Sequence, residues 1–217
     1  MGASGGFPVD LVLFAMIAVF LVLRLRGILG RRAGFERAAV APGRVPPAGP
    51  VIEGHAEPVA GRPLPEPSSL VGIDLARIQG ADRSFDPRAF LLGAENAFRL
   101  IVTAYAAGDR AALRPLLGPA IYTGFDQAIA ARETAGETQR TEIKAIPTAT
   151  IEAAGLRGSL ATIAIRFVSD QITLTLGRDG HPVAGTDAVT EIEDMWTFER
   201  DLTEPGPSWR LVAAHSG

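Results

Sequence analysis

The stretch FDPRAFLLGAENAFRLIVTAYAAGDRAALRPLL, residues 85–117, decides how the rest of the chain is read. Asp86 followed by Pro87 predicts an N-cap and a proline at the first helical position, where the missing N–H is no loss and the fixed φ suits a helix. Phe90, Leu91, Ala94, Phe98, Ile101, Val102 and Tyr105 recur every three or four residues and so share one face, while Arg88, Glu95, Arg99 and Thr103 lie elsewhere. A face that apolar must be covered by something downstream. Gly108 stands where a left-handed C-cap is wanted, and Asp109 is placed to cap a second, shorter helix ending near Leu117.

Upstream, Ser68 or Ser69 caps a helix over Leu70–Gln79 whose apolar set is Leu70, Ile73, Leu75 and Ile78. Downstream, Pro119 opens a third helix with Ile121, Phe125 and Ile129 four apart, fading near Arg132–Gly136 into ETAGETQRTE, a loop or frayed end. From Ile143 the period changes to two. Ile146 and Ile151 bracket a first strand interrupted by Pro147, and Gly155–Gly158 reads as a turn. Ile163, Ile165 and Phe167 alternate, but Ile172, Leu174 and Leu176 fall on the other parity, so a bulge is expected at Ser169-Asp170. Arg178-Asp179-Gly180 signals a hairpin turn. Thr190–Arg200 is the third strand, with Ile192, Trp196 and Phe198 on one side and Glu191, Glu193 and Glu199 on the other; Trp209, Leu211 and Ala213 give the last. Helices first and strands after predict an α+β domain, N-terminal helices packed on one face of a curved antiparallel sheet of about four strands.

The long helix stretch, then IYTGFDQAI, then MWTFERD and WRLVAA, together resemble the Tim44-like domain family in its alphaproteobacterial, membrane-anchored form. The likeness runs from about Leu70 to Ala214 and extends to the N-terminal segment. It implies a cone-like fold, similar in shape to nuclear-transport-factor-two-like domains, and a membrane-associated adaptor without chemistry, linked to protein translocation or membrane protein biogenesis. The mitochondrial relative tethers the import motor's chaperone to the translocase. The implied partners are the membrane and a protein, translocation machinery, chaperone or ribosome; a lipid ligand would follow only from an apolar pocket. Two departures matter. TLTLGRDGHPVAGTDAV lacks the Gly-Asp-Pro turn of better-known bacterial members, and a Pro-rich spacer replaces the long charged region through which the mitochondrial protein meets its chaperone. The second weighs against direct chaperone recruitment.

Charge and composition narrow the possibilities further. Net charge is −3, but residues 1–69 carry seven Arg against five acids, and the remainder fourteen basic against nineteen acidic residues. Every basic residue except Lys144 is arginine, which reflects genomic base composition more readily than guanidinium chemistry. With no cysteine, disulfides, thiolate metal sites and cysteine catalysis are excluded. Residues 7–29 are expected to be a transmembrane anchor: FPVDLVLFAMIAVFLVL is apolar except for Asp10, its unbroken core is short against the roughly 20 residues of a full crossing, and Arg24 and Arg26 can snorkel to extend it. Arg24, Arg26, Arg31 and Arg32 flank the run on its C-terminal side and no Lys or Arg precedes it. By the positive-inside rule this predicts a single-pass bacterial inner-membrane protein, N-terminus periplasmic and domain cytoplasmic, rather than a cleaved export signal. The arginines set topology or, alternatively, add affinity for anionic headgroups. Residues 30–69 read as a linker, Pro-rich and unable to bury a core, and 70–217 as the domain.

Candidate chemistry is sparse. Cone-shaped enzymes place an acidic base and a tyrosine in the cavity, which raises Asp170, Asp194, Tyr105 and Tyr122; Asp194 shares parity with Trp196 and is expected to point inward, paired with an arginine such as Arg166 or turned out by a bulge. His55 lies in the linker, and His181 and His215 read as surface residues. No metal spacing, phosphate loop or nucleophile elbow is present, so no cofactor, metal or catalytic residue is expected, and without interleaved basic and aromatic residues no nucleic acid either. The aromatic set Phe90, Phe98, Trp196, Phe198 and Trp209 is either core or core opened as an apolar pocket. In the open case Phe90, Phe98, Ile101, Tyr105, Phe167, Trp196 and Phe198 would line it, for a lipid chain or apolar peptide. The leading expectation is therefore a non-catalytic adaptor. A cone-fold enzyme on a small apolar substrate and a membrane tether for ribosomes or preproteins are the alternatives.

Overall fold

The computed structural model describes residues 62–204 and 209–216. The anchor expected at 7–29, its flank of Arg24, Arg26, Arg31 and Arg32, His55 and the linker up to residue 61 lie outside the described residues. The single-pass inner-membrane placement does not hold for what is described: no helix among those residues is long and apolar enough to cross a membrane.

Helix α1 (Leu70–Ala81) starts at Ser69, whose hydroxyl oxygen accepts the Gly72 N–H at 3.0 Å. Helix α2 (Pro87–Ala107) starts at Asp86, whose carboxylate accepts the Ala89 N–H at 2.6 Å, and ends at Gly108 with φ of 71°. Asp109 caps the single turn α3 (Arg110–Leu113). Helix α4 (Pro119–Ala135) ends at Gly136 in the left-handed conformation. The helix starts follow the capping signals of the sequence, but α1 runs on through Gly80 to Ala81 and α3 stops at Leu113, short of Leu117.

The strands depart from expectation by being longer. β1 (Thr138–Arg157), β2 (Leu160–Leu176), β3 (Pro182–Asp201) and β4 (Arg210–Ser216) form one antiparallel sheet in the order β1-β2-β3-β4. The polar segment ETAGETQRTE is no loop: α4 takes its first three residues and β1 begins at Thr138, because Thr141 and Glu142 have partners in Thr173 and Ile172. Gly155 likewise lies inside the ladder, opposite Thr162, and the turn closes at Gly158 with φ of 62°.

The bulge expected at Ser169-Asp170 in β2 is absent. β2 alternates without a break, so Ser169 and Gln171 continue the buried face of Ile163, Ile165 and Phe167, and Ile172, Leu174 and Leu176 stay on the opposite face. The polar residues tolerate burial by pairing, since Gln171 Nε2 donates to Ser169 Oγ at 2.7 Å. The irregularity facing this stretch sits in β1 instead. Its register on β2 slips between Ile143 and Ala145, between Ala145 and Thr148, and between Ile151 and Ala153. Each slip gives β1 one residue more than its partner, which bends the strand and curves the sheet around the helices.

The core lies between α2 and the concave face. Phe98, fully buried, stands 4.6 Å in ring centroid from both Phe167 and Trp196, and Phe90 meets Phe198 edge-on at 6.1 Å. α4 joins through Phe125, 5.1 Å from Tyr105. The turn before α4 is pinned to β4 by the Gly118 N–H on Leu211 O (2.8 Å) and the Leu211 N–H on Leu116 O (2.9 Å).

At the other edge Arg62 acts as a clamp. Its guanidinium donates to Glu95 on α2 (2.8 Å), to Pro147 O (2.5 Å) and to Ile146 O, so it satisfies carbonyls that the β1 bulge leaves out of the ladder. Leu64 packs against the core. Residues 62–69, assigned to the linker by composition, are thus in contact with the domain.

Phe98→Ala should lower stability by about 3–5 kcal/mol in equilibrium urea unfolding, as expected for truncating a fully buried aromatic. Asp86→Ala, which removes only the cap, should lower it by about 1 kcal/mol.

Candidate functional site

The interlock of α2 with the sheet opens at one end. The first half of α2 presents Ala89, Gly93 and Ala97, four apart, with Ala94 beside them. Side chains this small leave space between helix and sheet, and a Cβ added at Gly93 would meet nothing within 4 Å. The result is a cleft of about 490 Å³. Phe85 and Phe90 form one wall, Phe198 and Trp209 the sheet side, and Pro115 and Leu116 the remaining apolar rim. Its aromatic rings support one another: Trp209 lies 4.7 Å from Phe90 and 5.8 Å from Phe85. Such contacts hold an apolar surface in fixed shape without needing a ligand.

Three polar residues complete the lining: Ser84, Asp86 and Arg200. Asp86 is occupied in capping α2. Ser84 and Arg200 converge on Asp82 in the loop after α1. The Ser84 hydroxyl and amide donate to Asp82 Oδ1 at 2.6 and 2.9 Å, and Arg200 Nη1 lies 3.0 Å from Asp82 Oδ2. The Ser84 hydroxyl, then its amide, hold the Asp82 carboxyl below the ordinary aspartate value; burial opposes this and Arg200 adds to it. Arg200 Nε is buried with no hydrogen-bond partner among the described residues.

The structure divides the residues that the sequence suggested for a pocket. Phe90 and Phe198 line the cleft. Phe98, Ile101 and Phe167 have no exposed surface, and Trp196 and Tyr105 are buried, Tyr105 beneath the Arg132 guanidinium at 5.0 Å. Asp194 does point inward, at 2 % exposure, but it accepts a hydrogen bond from the Ser216 hydroxyl at 2.5 Å. Arg166 pairs with Glu152 instead, at 2.8 Å, because its side chain leaves β2 on the face away from the helices. Tyr122 receives a hydrogen bond from Arg114 at the surface (3.2 Å). None of Asp170, Asp194, Tyr105 or Tyr122 reaches the cleft. His181 and His215 are exposed. No group of three or more acidic or histidine side chains among the described residues could hold a metal ion.

Ser84, Phe85 and Arg200 were missed by sequence reasoning. The legible signal was the repeat of small residues at 89, 93 and 97, which opens a gap in an otherwise bulky helix face.

A family model, the Tim44-like domain, matches residues 72–216. The chain belongs to the Tim44-like domain family. Domains of this family are associated with protein translocation and with adaptor roles at membranes. The match takes in all of the sheet and α2, α3 and α4, hence every wall of the cleft. Among solved structures, the intermembrane space region of the chloroplast protein ARC6 is similar at 10% identity and a TM-score of 0.43, over 58% of this chain and 95% of that one. TsrD from Streptomyces laurentii is similar at 16% identity and a TM-score of 0.26, over 61% of this chain and 91% of that one. No curated protein matches the sequence.

The Asp82 cluster yields a test of the cleft's polar rim. A carboxyl held below its unfolded value, about 3.9, contributes stability that is present above that pH and is lost as pH falls through the folded value. NMR titration of Asp82 should therefore give a midpoint below that of an exposed aspartate. Ser84→Ala should raise it more than Arg200→Gln does, and a midpoint unmoved by Ser84→Ala would contradict the assignment.

Proposed function

We propose that this Tim44-like domain is a non-catalytic adaptor that holds an apolar segment in the cleft between α2 and the β3–β4 end of the sheet. The aromatic lining carries this reading: the partly exposed Trp209 and the edge of Phe90 face the cleft beside Ala89, Gly93 and Ala97, with Phe85 and Phe198 buried behind them, a concave apolar surface of the volume that small-molecule sites have. An extended apolar peptide or a lipid acyl chain fits it. A role in protein translocation or membrane protein biogenesis accords with the family, whose domains are generally non-catalytic adaptors. Against catalysis stands the lining itself, where the one carboxylate, Asp86, already caps a helix.

A photoreactive residue at Gly93 tests the reading, since that position lines the cleft and has room for a side chain. Irradiation in native extracts should give adducts from Gly93 and none from the same probe at the sealed position Phe98. Protein adducts identify an adaptor partner and lipid adducts a lipid-holding domain. Equal labelling from both positions, or none from Gly93, contradicts the cleft as the working surface.

A further inference from the structure

β4 covers only part of β3. Its register runs from Glu199↔Arg210 to Asp194↔Ser216, while β3 itself begins at Pro182. Among the described residues, Pro182–Glu193 therefore have β2 on one side and no strand on the other. The stretch Thr190–Glu193 stays in unbroken register with Gln171–Val168, so its open edge continues the line of β4 as regular ladder. Beyond Thr190 the register shifts and Pro182 closes the strand. An open edge presents backbone N–H and C=O groups able to accept a further strand.

The side chains beside this edge define what would pair there. Asp170 and Glu191 stand directly opposite each other across β2 and β3, and Glu193 follows on the same face, opposite Val168. Like charges directly opposite destabilise a sheet. No ion pair relieves Asp170, Glu191 or Glu193 among the described residues. Arg166, which acts on Glu193 electrostatically, gives its hydrogen bond to Glu152. Two copies of this edge would set acids against acids, which disfavours self-pairing and leaves a basic strand as the complement. Exposed Val189, next to Thr190, adds apolar surface for such a strand.

We propose that the open edge of β3 at Thr190–Glu193 docks an extended basic segment of a protein partner. The segment adds as a fifth strand in line with β4 and places Arg or Lys beside Glu191 and Glu193, with Asp170 one strand further in adding to the negative charge. The site shares no residue with the cleft, so it stands or falls independently of what the cleft holds.

The probe is a synthetic peptide alternating arginine and valine, titrated into the full chain with amide hydrogen exchange as readout. Binding should weaken with salt, slow exchange at Thr190–Glu193, and fall about tenfold in the double variant Glu191→Lys/Glu193→Lys, whose exposed positions leave the fold intact by circular dichroism. The same peptide N-methylated at alternate amides, which removes the ladder and keeps the charge, should bind more weakly. The proposal is overturned if the N-methylated peptide or a glutamate–valine peptide binds as well, if protection appears elsewhere, or if millimolar peptide does not bind. Concentration-dependent protection of the same amides without peptide would show a second copy there and would also overturn it.

Discussion

Phe98 lies between Phe167 of β2 and Trp196 of β3, equidistant from both rings, and this three-ring contact fixes where α2 crosses the sheet. Phe167 and Trp196 are themselves edge-on at 6.0 Å, so the helix residue closes a cluster that spans two strands. Each such pair adds about 0.5–1.5 kcal/mol beyond burial, and together they resist sliding of helix along sheet. The surrounding features make this contact possible. The three bulges of β1 bend the sheet toward the helix, Arg62 ties the largest of the resulting gaps to α2, and the Gly118–Leu211 pairing brings α4 over the far end.

The cleft is where that interlock stops. Toward the helix N-terminus from Phe98, the flank of α2 beside the buried Phe90 carries only Ala89, Gly93 and Ala97, and the sheet opposite keeps its aromatic rings. Removing bulk from one side of a packed interface, while holding the other side in place, produces concavity without strain. Asp82, Ser84 and Arg200 then keep the loop after α1 in position at the rim, through the Ser84 hydrogen bonds and the Arg200 ion pair, which do not require the cleft to be filled.

How much of this was visible beforehand depends on the kind of signal. The helices were legible because their ends carry chemistry: Ser69, Asp86 and Asp109 accept the first free N–H groups, and Gly108 and Gly136 supply the left-handed turn. The strand faces were legible only where both partners were apolar. Past Phe167 the buried residues of β2 are Ser169, Gln171 and Thr175; Gln171 donates to Ser169 within the strand and Ser169 to Ile192 O of β3, polar pairings that no apolar period can reveal. The same blindness turned a true continuation of β2 into an expected bulge, and extended β1 by residues that read as loop. In the site, Phe90 and Phe198 were legible as aromatic and inward-facing. Whether a ring meets solvent or another ring depends on what stands opposite, and for Phe98 the answer lay about 70 and about 100 residues further along the chain.

Strand order in this sheet is chain order, with no crossover. Each hairpin can therefore zip onto the one before it as the chain emerges from synthesis. The apolar stripe of α2, however, is made first and its cover last: Trp196 is added about 100 residues after Phe98, which at roughly 5–20 residues per second leaves that stripe bare for about 5–20 s. During that interval the nascent chain presents a longer sticky surface than the finished domain ever does.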